Sequence, residues 1–493
     1  MLPRPSVMFD RDREWGALSR FILDEQPGAT LGVVSGRRRQ GKTFLLDAAC
    51  RAAGGFFFGA TEATDLDSLH RLSAALTEFT RPATPIRLDS WHEAVDALLA
   101  LGRQRPVPVV LDEFPYLAKA NPSLPSIIQA AFGPLRTERV ESQTRLLLCG
   151  SAMSFMGGLL AGNAPLRGRA GLELVVRTLD HRLAAEFWEL TDPRLAVMVN
   201  AVVGGTPAYR RELARNDSPA DAADFDGWVT RTVLNPESPL FREARYLLAE
   251  EPDLRDTALY HSVLAAVAEG NATRGGIASY LGRKAADMAH ALDVLEDAGL
   301  MARDADAFRD NRSTYRIAEP LISFYGAVMR PVWSQLERPG SAERVWQQAR
   351  RRFESNVIGP RFEQICREWA MYHDDAELLG GLPARVGTGV VNDPGQRVAH
   401  EVDVVTVGVA DGARKPPLLS IGEAKWNEVM GVPQLTRLRR IRELVTAGGR
   451  YDTTGTRLAC YSGAGFTAEL RAAAARGEVV LVDLATVYGR PPA

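Results

Sequence analysis

The sequence predicts an α/β protein. Its first part reads as a parallel sheet with helices on both faces, followed by a helical module ending in a hairpin and then a C-terminal α/β domain. Three observations carry this expectation. Strand-length apolar runs alternate with helical patterns over the first ~200 residues. Between 257 and 317 the pattern becomes three helical faces and two short β-type runs, and mixed α and β patterning resumes after 331–341, which reads as a linker. At ~150 residues per domain, 493 residues allow roughly three domains. They are taken as 1–203, 204–330 and 342–493.

The elements follow in order. The runs 30–35, 56–58, 107–111, 145–149 and 172–176 are continuous and apolar, as expected of strands buried on both faces. Residues 205–255 read as helical, broken at Asn235-Pro236 and Glu251-Pro252. Leu259, Val263 and Val267 mark one helical face, Ile277 and Leu281 a second, and Met288, Leu292 and Leu295 a third that Gly299 stops. The runs 300–302 and 314–317 complete a winged-helix pattern. Its third helix carries Asp287, Asp293, Glu296 and Asp297 against Lys284, an unfavourable charge for entering a DNA groove. Arg303, Arg309, Arg312 and Arg316 in the wing are interleaved with Asp304, Asp306 and Asp310. The module is therefore read as an internal lever, with DNA reading as the second possibility.

Composition excludes several classes. Hydrophobic residues at 46% and charged residues at 24% rule out a disordered, collagen-like or rod-shaped chain, and a net charge of −2 gives no bulk attraction for nucleic acid. Four cysteines without C-x-x-C spacing argue against a disulfide framework or zinc ribbon, and Cys149 reads as a buried small hydrophobe. The N-terminus lacks a signal-peptide core. The uncharged stretch 146–166 contains Ser151, Ser154, Asn163, Pro165 and several glycines, poor material for a spanning helix. A cytoplasmic protein is expected.

The strongest motif is Gly36-Arg37-Arg38-Arg39-Gln40-Gly41-Lys42-Thr43, which matches G-x-x-x-x-G-K-[ST] between a strand and the helical segment opening at Phe44. Glycines let backbone N–H groups wrap phosphates, the lysine reaches the β- and γ-phosphates, and the threonine holds Mg²⁺. Residues 36–44 are thus the candidate ATP cradle. Val109-Val110-Leu111-Asp112-Glu113 supplies a second half: Asp112 beside the Mg²⁺, Glu113 to polarise an attacking water. An exposed acidic turn is the alternative for this pair.

Further segments resemble the archaeal-type P-loop ATPases of the AAA/STAND group. Phe9-Asp10-Arg11-Asp12-Arg13-Glu14-Trp15 is similar to that family's R-E-x-E box, with Asp at positions 10 and 12 where Gly and Glu are usual. The resemblance implies that Arg11 contributes to the nucleotide site. Leu147-Leu148-Cys149-Gly150-Ser151 resembles its sensor strand, which implies that Ser151 faces the γ-phosphate. Pro165-Leu166-Arg167-Gly168-Arg169 resembles its P-L-x-G-R segment, making Arg169 a candidate charge stabiliser, with a surface ion pair as the alternative. Val203-Gly204-Gly205-Thr206-Pro207 resembles the turn leaving the ATPase core. An arginine supplied by a neighbouring subunit is common in this class, so a homo-oligomer is among the expected partners.

In the C-terminal part, 401–407 and 418–426 read as strands. Glu423 and Lys425, two apart, share a face, and Asp403 joins them if the strands are neighbours. Glu363, on the helical stretch 353–369, is a candidate third carboxylate. Together they are enough to hold Mg²⁺ and activate water, with Lys425 orienting it or stabilising negative charge. The set resembles the D…E-x-K core of restriction-endonuclease-like domains, which implies nucleic acid, DNA first, as partner. The alternative is a salt-bridged core in an inactive fold. Arg437, Arg439, Arg440 and Arg442 on the following helix form a candidate phosphate track or a solvated face. The seven histidines show no ligand spacing, and His400, next to Glu401, reads as a strand-edge residue. The expected function is ATP binding and hydrolysis that regulates a Mg²⁺-dependent nuclease-like domain. A scaffold ATPase or a winged-helix transcription regulator stands as the alternative.

Overall fold

The computed structural model describes residues 1–249, 257–372, 377–412 and 415–489. The Glu251-Pro252 break and His373 lie outside the described residues. The chain forms two compact units, Met1–Thr178 and a second from Leu179 onward.

The first unit is built on five parallel strands: β1 (Thr30–Ser35), β2 (Phe56–Gly59), β3 (Val107–Asp112), β4 (Thr144–Gly150) and β5 (Ala170–Val175), in the order β2-β3-β4-β1-β5. Every residue of β3 and β4 is buried. Alternation sorts them: Val109, Leu111, Leu146 and Leu148 pack with the helices Asp65–Thr80 and Trp91–Ala100. Val110, Leu147 and Cys149 pack with Asp12–Ile22 and Lys42–Ala53. This two-faced burial is why the strands read as unbroken apolar runs. The stretch 146–166 divides between β4, the helix Met153–Gly158 and turns, and among the described residues no helix is long and apolar enough to cross a membrane.

In the second unit the helices Thr257–Ala268 and Arg274–Tyr280, a 3₁₀ turn (Ala285–Met288) and the helix Ala289–Asp297 precede an antiparallel hairpin, β6 (Met301–Ala305) and β7 (Ser313–Ile317). A mixed sheet follows: β8 (Arg385–Asp393), β9 (Val398–Val407), β10 (Leu418–Lys425), β11 (Arg457–Ser462) and β12 (Val480–Asp483). Its order is β12-β11-β10-β9-β8, antiparallel from β8 to β10 and parallel from β10 to β12. The crossover from β10 to β11 is the helix Val432–Gly448.

Two boundaries differ from the sequence reading. The helices His181–Phe187 and Pro193–Val203 belong to the second compact unit. All residues from Leu195 to Val203 are buried, and Arg182 donates to the Val487 carbonyl at 2.8 Å. The stretch 331–341, read as a linker, holds the helical turn Trp333–Leu336, with the Trp333 ring stacked on Phe241 at 4.5 Å and Leu336 buried.

The turn after Val203 requires its glycines. Gly204 has φ +59°, and a Cβ on Gly205 would lie 1.9 Å from the Leu179 carbonyl oxygen, a backbone atom that cannot step aside. Gly205→Ala is therefore expected to cost about 3 kcal/mol or more. Gly275→Ala, in an exposed helical position with nothing within 4 Å, is expected to be neutral or stabilising. Denaturant unfolding of both variants checks the contrast.

Candidate functional site

The loop between β1 and the helix Lys42–Ala53 closes on itself. A Cβ at Gly36 would meet the Val176 carbonyl oxygen at 2.4 Å, and Gly41 caps the helix at φ +87°. Arg39 also adopts positive φ, +67°. Lys42 is buried, and its Nζ donates to the Arg37 carbonyl at 2.8 Å. Burial holds its ammonium below the ordinary pKa, opposed by the charges of Glu113 and Asp112 among others. Arg11, also buried, donates to the Gln40 carbonyl at 3.1 Å and pairs with Glu14 at 3.0 Å, so it props the loop. Phe44 is exposed.

The strand order places β4 between β1 and β3, so their C-terminal ends share one edge. Thr43 Oγ1 donates to Asp112 Oδ2 at 2.7 Å, and Asp112 Oδ1 accepts the Glu113 backbone N–H at 3.0 Å. Glu113 stands in the left-handed region, φ +50°, at the start of the helix Phe114–Ala120. Such a backbone costs on the order of 1–3 kcal/mol in a non-glycine residue. It turns the Glu113 carboxylate toward β4, where both oxygens lie 3.1 Å from the buried Ser151 hydroxyl. Arg38 donates to the Tyr116 hydroxyl at 3.0 Å, on that same short helix. Gly36, Lys42, Thr43, Asp112, Glu113 and Ser151 are thus brought to one edge. Arg169 instead donates to the Phe132 carbonyl at 3.0 Å, just past the helix Leu124–Ala131.

The donor set suits a magnesium nucleotide. A threonine hydroxyl beside a carboxylate offers hard oxygen ligands, and Lys42 is a buried cation on a carbonyl rather than on an acid.

In the second unit, β9 and β10 are antiparallel neighbours, with Gly422 opposite Val404, which brings Asp403 beside Glu423 and Lys425. Lys425 Nζ lies 3.2 Å from Glu423 Oε1 and 4.0 Å from Asp403 Oδ2. The Ala424 N–H donates to Asp403 Oδ2 at 2.9 Å, and Arg437 donates to Glu423 Oε1 at 2.7 Å. Glu423 Oε2 is buried with no hydrogen-bond partner. Glu363 lies on the helix Gly359–Tyr372, and its carboxyl looks into a concave hollow whose walls push its pKa up to about 7, with Asp403 adding to the effect. Burial likewise raises Asp403.

Among the described residues no three His, Cys, Asp or Glu side chains are grouped closely enough to hold a metal between them. Glu363, Asp403 and Glu423, expected as one ligand set, do not form such a group here. Glu423 leans on Lys425 and Arg437, and one Asp403 oxygen is taken by the β10 backbone. Both cations contact Glu423 Oε1, and the orphaned Oε2 is the feature that suits an added cation. The arginine track is also largely engaged: Arg437 holds Glu423, Arg439 pairs with Glu478, and Arg440 binds Asp393 at 2.8 Å.

The wing arginines are engaged by neighbours within the second unit. Arg303 donates to Ser313, Arg316 to Asp304 at 2.9 Å and Arg309 to Asn392, while Arg312 lies 3.8 Å from Asp306. The hairpin connection docks on β8: Ala307 N–H donates to the Thr388 carbonyl, and the Phe308 ring fills the space a Cβ at Gly389 would need. Sequence reasoning missed Arg361 and Arg367, which stand on the same helix as Glu363; their spacing of two and four residues from it was the available signal.

The first unit is a P-loop ATPase fold. The chain resembles the Walker-type ATPase PABY2304 of Pyrococcus abyssi at 20% identity and TM-score 0.50, over 66% of this chain and 97% of that one. The ORC2 protein of Aeropyrum pernix, in an ADPNP–ADP complex, is more distant: 15% identity and TM-score 0.42, over 72% of this chain and 96% of that one. By sequence, an uncharacterized protein of Methanocaldococcus jannaschii, MJECL04, is 24% identical over 335 residues, 67% of this chain and 71% of that protein. No family model matches the sequence.

Proposed function

We propose that this chain binds and hydrolyses ATP with Mg²⁺ in its first unit. We further propose that the second unit is a winged-helix module joined to a restriction-endonuclease-like domain acting on nucleic acid, DNA first, in DNA processing or defence. The nucleotide state of the first unit then regulates the second, in a cytoplasmic protein that can self-associate. The observation that carries the hydrolase reading is the convergence of Lys42, Thr43, Asp112, Glu113 and Ser151 on one sheet edge. Lys42 and the loop amides bind phosphate, Thr43 and Asp112 hold the metal, and Glu113 takes a proton from the attacking water. Bound Mg²⁺ supplies charge neutralisation on the phosphates. Arg38, held on the helix that Glu113 opens, is better placed than Arg169 to meet charge building on the γ-phosphate.

Glu113→Gln separates binding from chemistry. The amide keeps a partner for Ser151 but accepts no proton, so turnover is expected to fall about 100-fold or more while ATP affinity changes little. A steady-state phosphate-release assay beside calorimetric ATP binding checks this; unchanged turnover would remove Glu113 from its role.

Support for the nuclease reading is the placement of Asp403, Glu423 and Lys425 on adjacent antiparallel strands, with one buried carboxylate oxygen unpartnered. The salt-bridged state of Glu423 favours the second reading, an inactive fold serving as scaffold. The engagement of Arg309 by Asn392 and of Arg316 by Asp304 weighs against a transcription regulator.

A further inference from the structure

A charged cavity of about 460 Å³ lies in the second unit between β7, the helix Gly359–Tyr372 and the strands β8 and β9. Glu363 and Asp403 open into it, and so do Arg316, Arg361 and Arg367. These arginines come from two elements, and Arg316 is near enough to the other two to feel their charges. What holds each guanidinium matters. Arg361 donates to the neutral Asn200 side chain at 2.8 Å, with Glu368 more distant at 3.4 Å. Arg367 donates to the Gln364 side chain and to the Asp403 backbone carbonyl at 2.9 Å, its Glu363 contact being 3.8 Å. Arg316 alone has a close carboxylate, Asp304 at 2.9 Å. Each of the three thus has a carboxylate within 4 Å, and Asp304 and Glu401 also line the cavity, but the shortest bonds of Arg361 and Arg367 go to neutral acceptors that orient their guanidiniums, the geometry that recognises a phosphate. Ala201, Val267, Ala268 and Val390 give the same cavity an apolar wall.

We propose that this cavity is a binding site for a single nucleoside phosphate, the phosphate on Arg316, Arg361 and Arg367 and the sugar and base against the apolar wall. The volume falls within the ~300–1,000 Å³ of small-ligand pockets, room for a single nucleotide rather than a duplex. The inference deepens the nuclease reading and rests on it in one respect: a strand seated there enters by its end or by an unpaired nucleotide, beside Asp403 and Glu363. Duplex interior is not its substrate.

The test uses the full chain carrying Lys42→Ala, so that the first unit does not compete for nucleotide, in EDTA so that no cleavage occurs. Fluorescence anisotropy compares a single-stranded oligonucleotide bearing a terminal phosphate with its hydroxyl-ended twin and with a hairpin-capped duplex. At least tenfold tighter binding of the phosphorylated end is expected, with weak duplex binding. Arg316→Gln and Arg367→Gln are each expected to weaken it about tenfold; in the chain with Lys42 intact, Arg316→Gln leaves ATP turnover unchanged. Competition by free dCMP equal to that of the strand end identifies a free nucleotide as the occupant, and poorer competition identifies the strand end. Equal binding of phosphate and hydroxyl ends overturns the proposal without using any variant. Phosphate-dependent binding with no cleavage once Mg²⁺ is restored keeps the pocket and removes the nuclease reading. Cleavage without phosphate dependence does the reverse.

Discussion

Lys42→Ala is expected to weaken ATP binding by about 2–3 kcal/mol, on the order of 100-fold, through loss of a charge-assisted contact to phosphate. The same substitution is expected to leave the nucleotide-free protein as stable as wild type or more so. Lys42 is buried on a carbonyl, and burial holds its pKa down, so at neutral pH the ion carries a desolvation cost that the carbonyl and the nearby Glu113 and Asp112 offset only in part until phosphate arrives. Removing it relieves that cost. The two effects separate in one thermal-shift experiment. Wild type gains up to ~2.7 kcal/mol at a nucleotide concentration 100 times its Kd, whereas the variant gains almost nothing. A variant that unfolds at lower temperature without nucleotide would show that Lys42 is a structural residue and not a poised ligand.

The first unit was legible because its chemistry is local. The glycine spacing, the strand before it and the apolar run ending in Asp112-Glu113 are all short-range signals, and two-faced burial makes parallel strands conspicuous. Ser151 was reached through resemblance alone; its role as partner to both Glu113 oxygens depends on β4 lying between β1 and β3, a fact of topology. What local pattern could not give was long-range partnership. The helix Pro193–Val203 is almost wholly apolar from Leu195 on because it is buried within the second unit, where Arg194 crosses Trp426 at 4.4 Å and donates to the Gly463 carbonyl. Nothing within 20 residues of it announces this. For the same reason the partners of the wing arginines were legible only in part: their acids at 304 and 306 were visible, but Asn392 and the seat on β8 were not. The D…E-x-K spacing placed three side chains correctly on neighbouring strands, yet did not reveal that Arg437 would claim Glu423.

Asp403→Asn is expected to abolish metal-dependent cleavage of nucleic acid, by at least 1,000-fold, while raising the melting temperature. On the nuclease proposal, loss of this carboxylate would remove both a ligand for the metal and part of the charge that draws the cation in, each worth several kcal/mol at a hydrolytic centre. The fold has reason to tolerate the change: the Asn carbonyl oxygen still accepts the Ala424 N–H that Asp403 Oδ2 accepts now. It also has reason to gain. Asp403 is partly buried beside Glu423 and near Glu363, and desolvation makes its ionised form unfavourable. A neutral isostere removes that repulsion, leaving Lys425 its 3.2 Å partner in Glu423. Function and stability therefore pull in opposite directions at one atom pair, as expected where acids are gathered for chemistry rather than for packing. The experiment incubates wild type and Asp403→Asn with labelled single- and double-stranded DNA and RNA, with Mg²⁺ or Mn²⁺, with and without ATP, beside melting curves of both proteins. Cutting that disappears in Asp403→Asn establishes the nuclease, and its response to ATP establishes coupling to the first unit. Wild type that cuts nothing, with Asp403→Asn no more stable, would mean that the Asp403–Lys425–Glu423 set is a structural salt bridge and the second unit a scaffold.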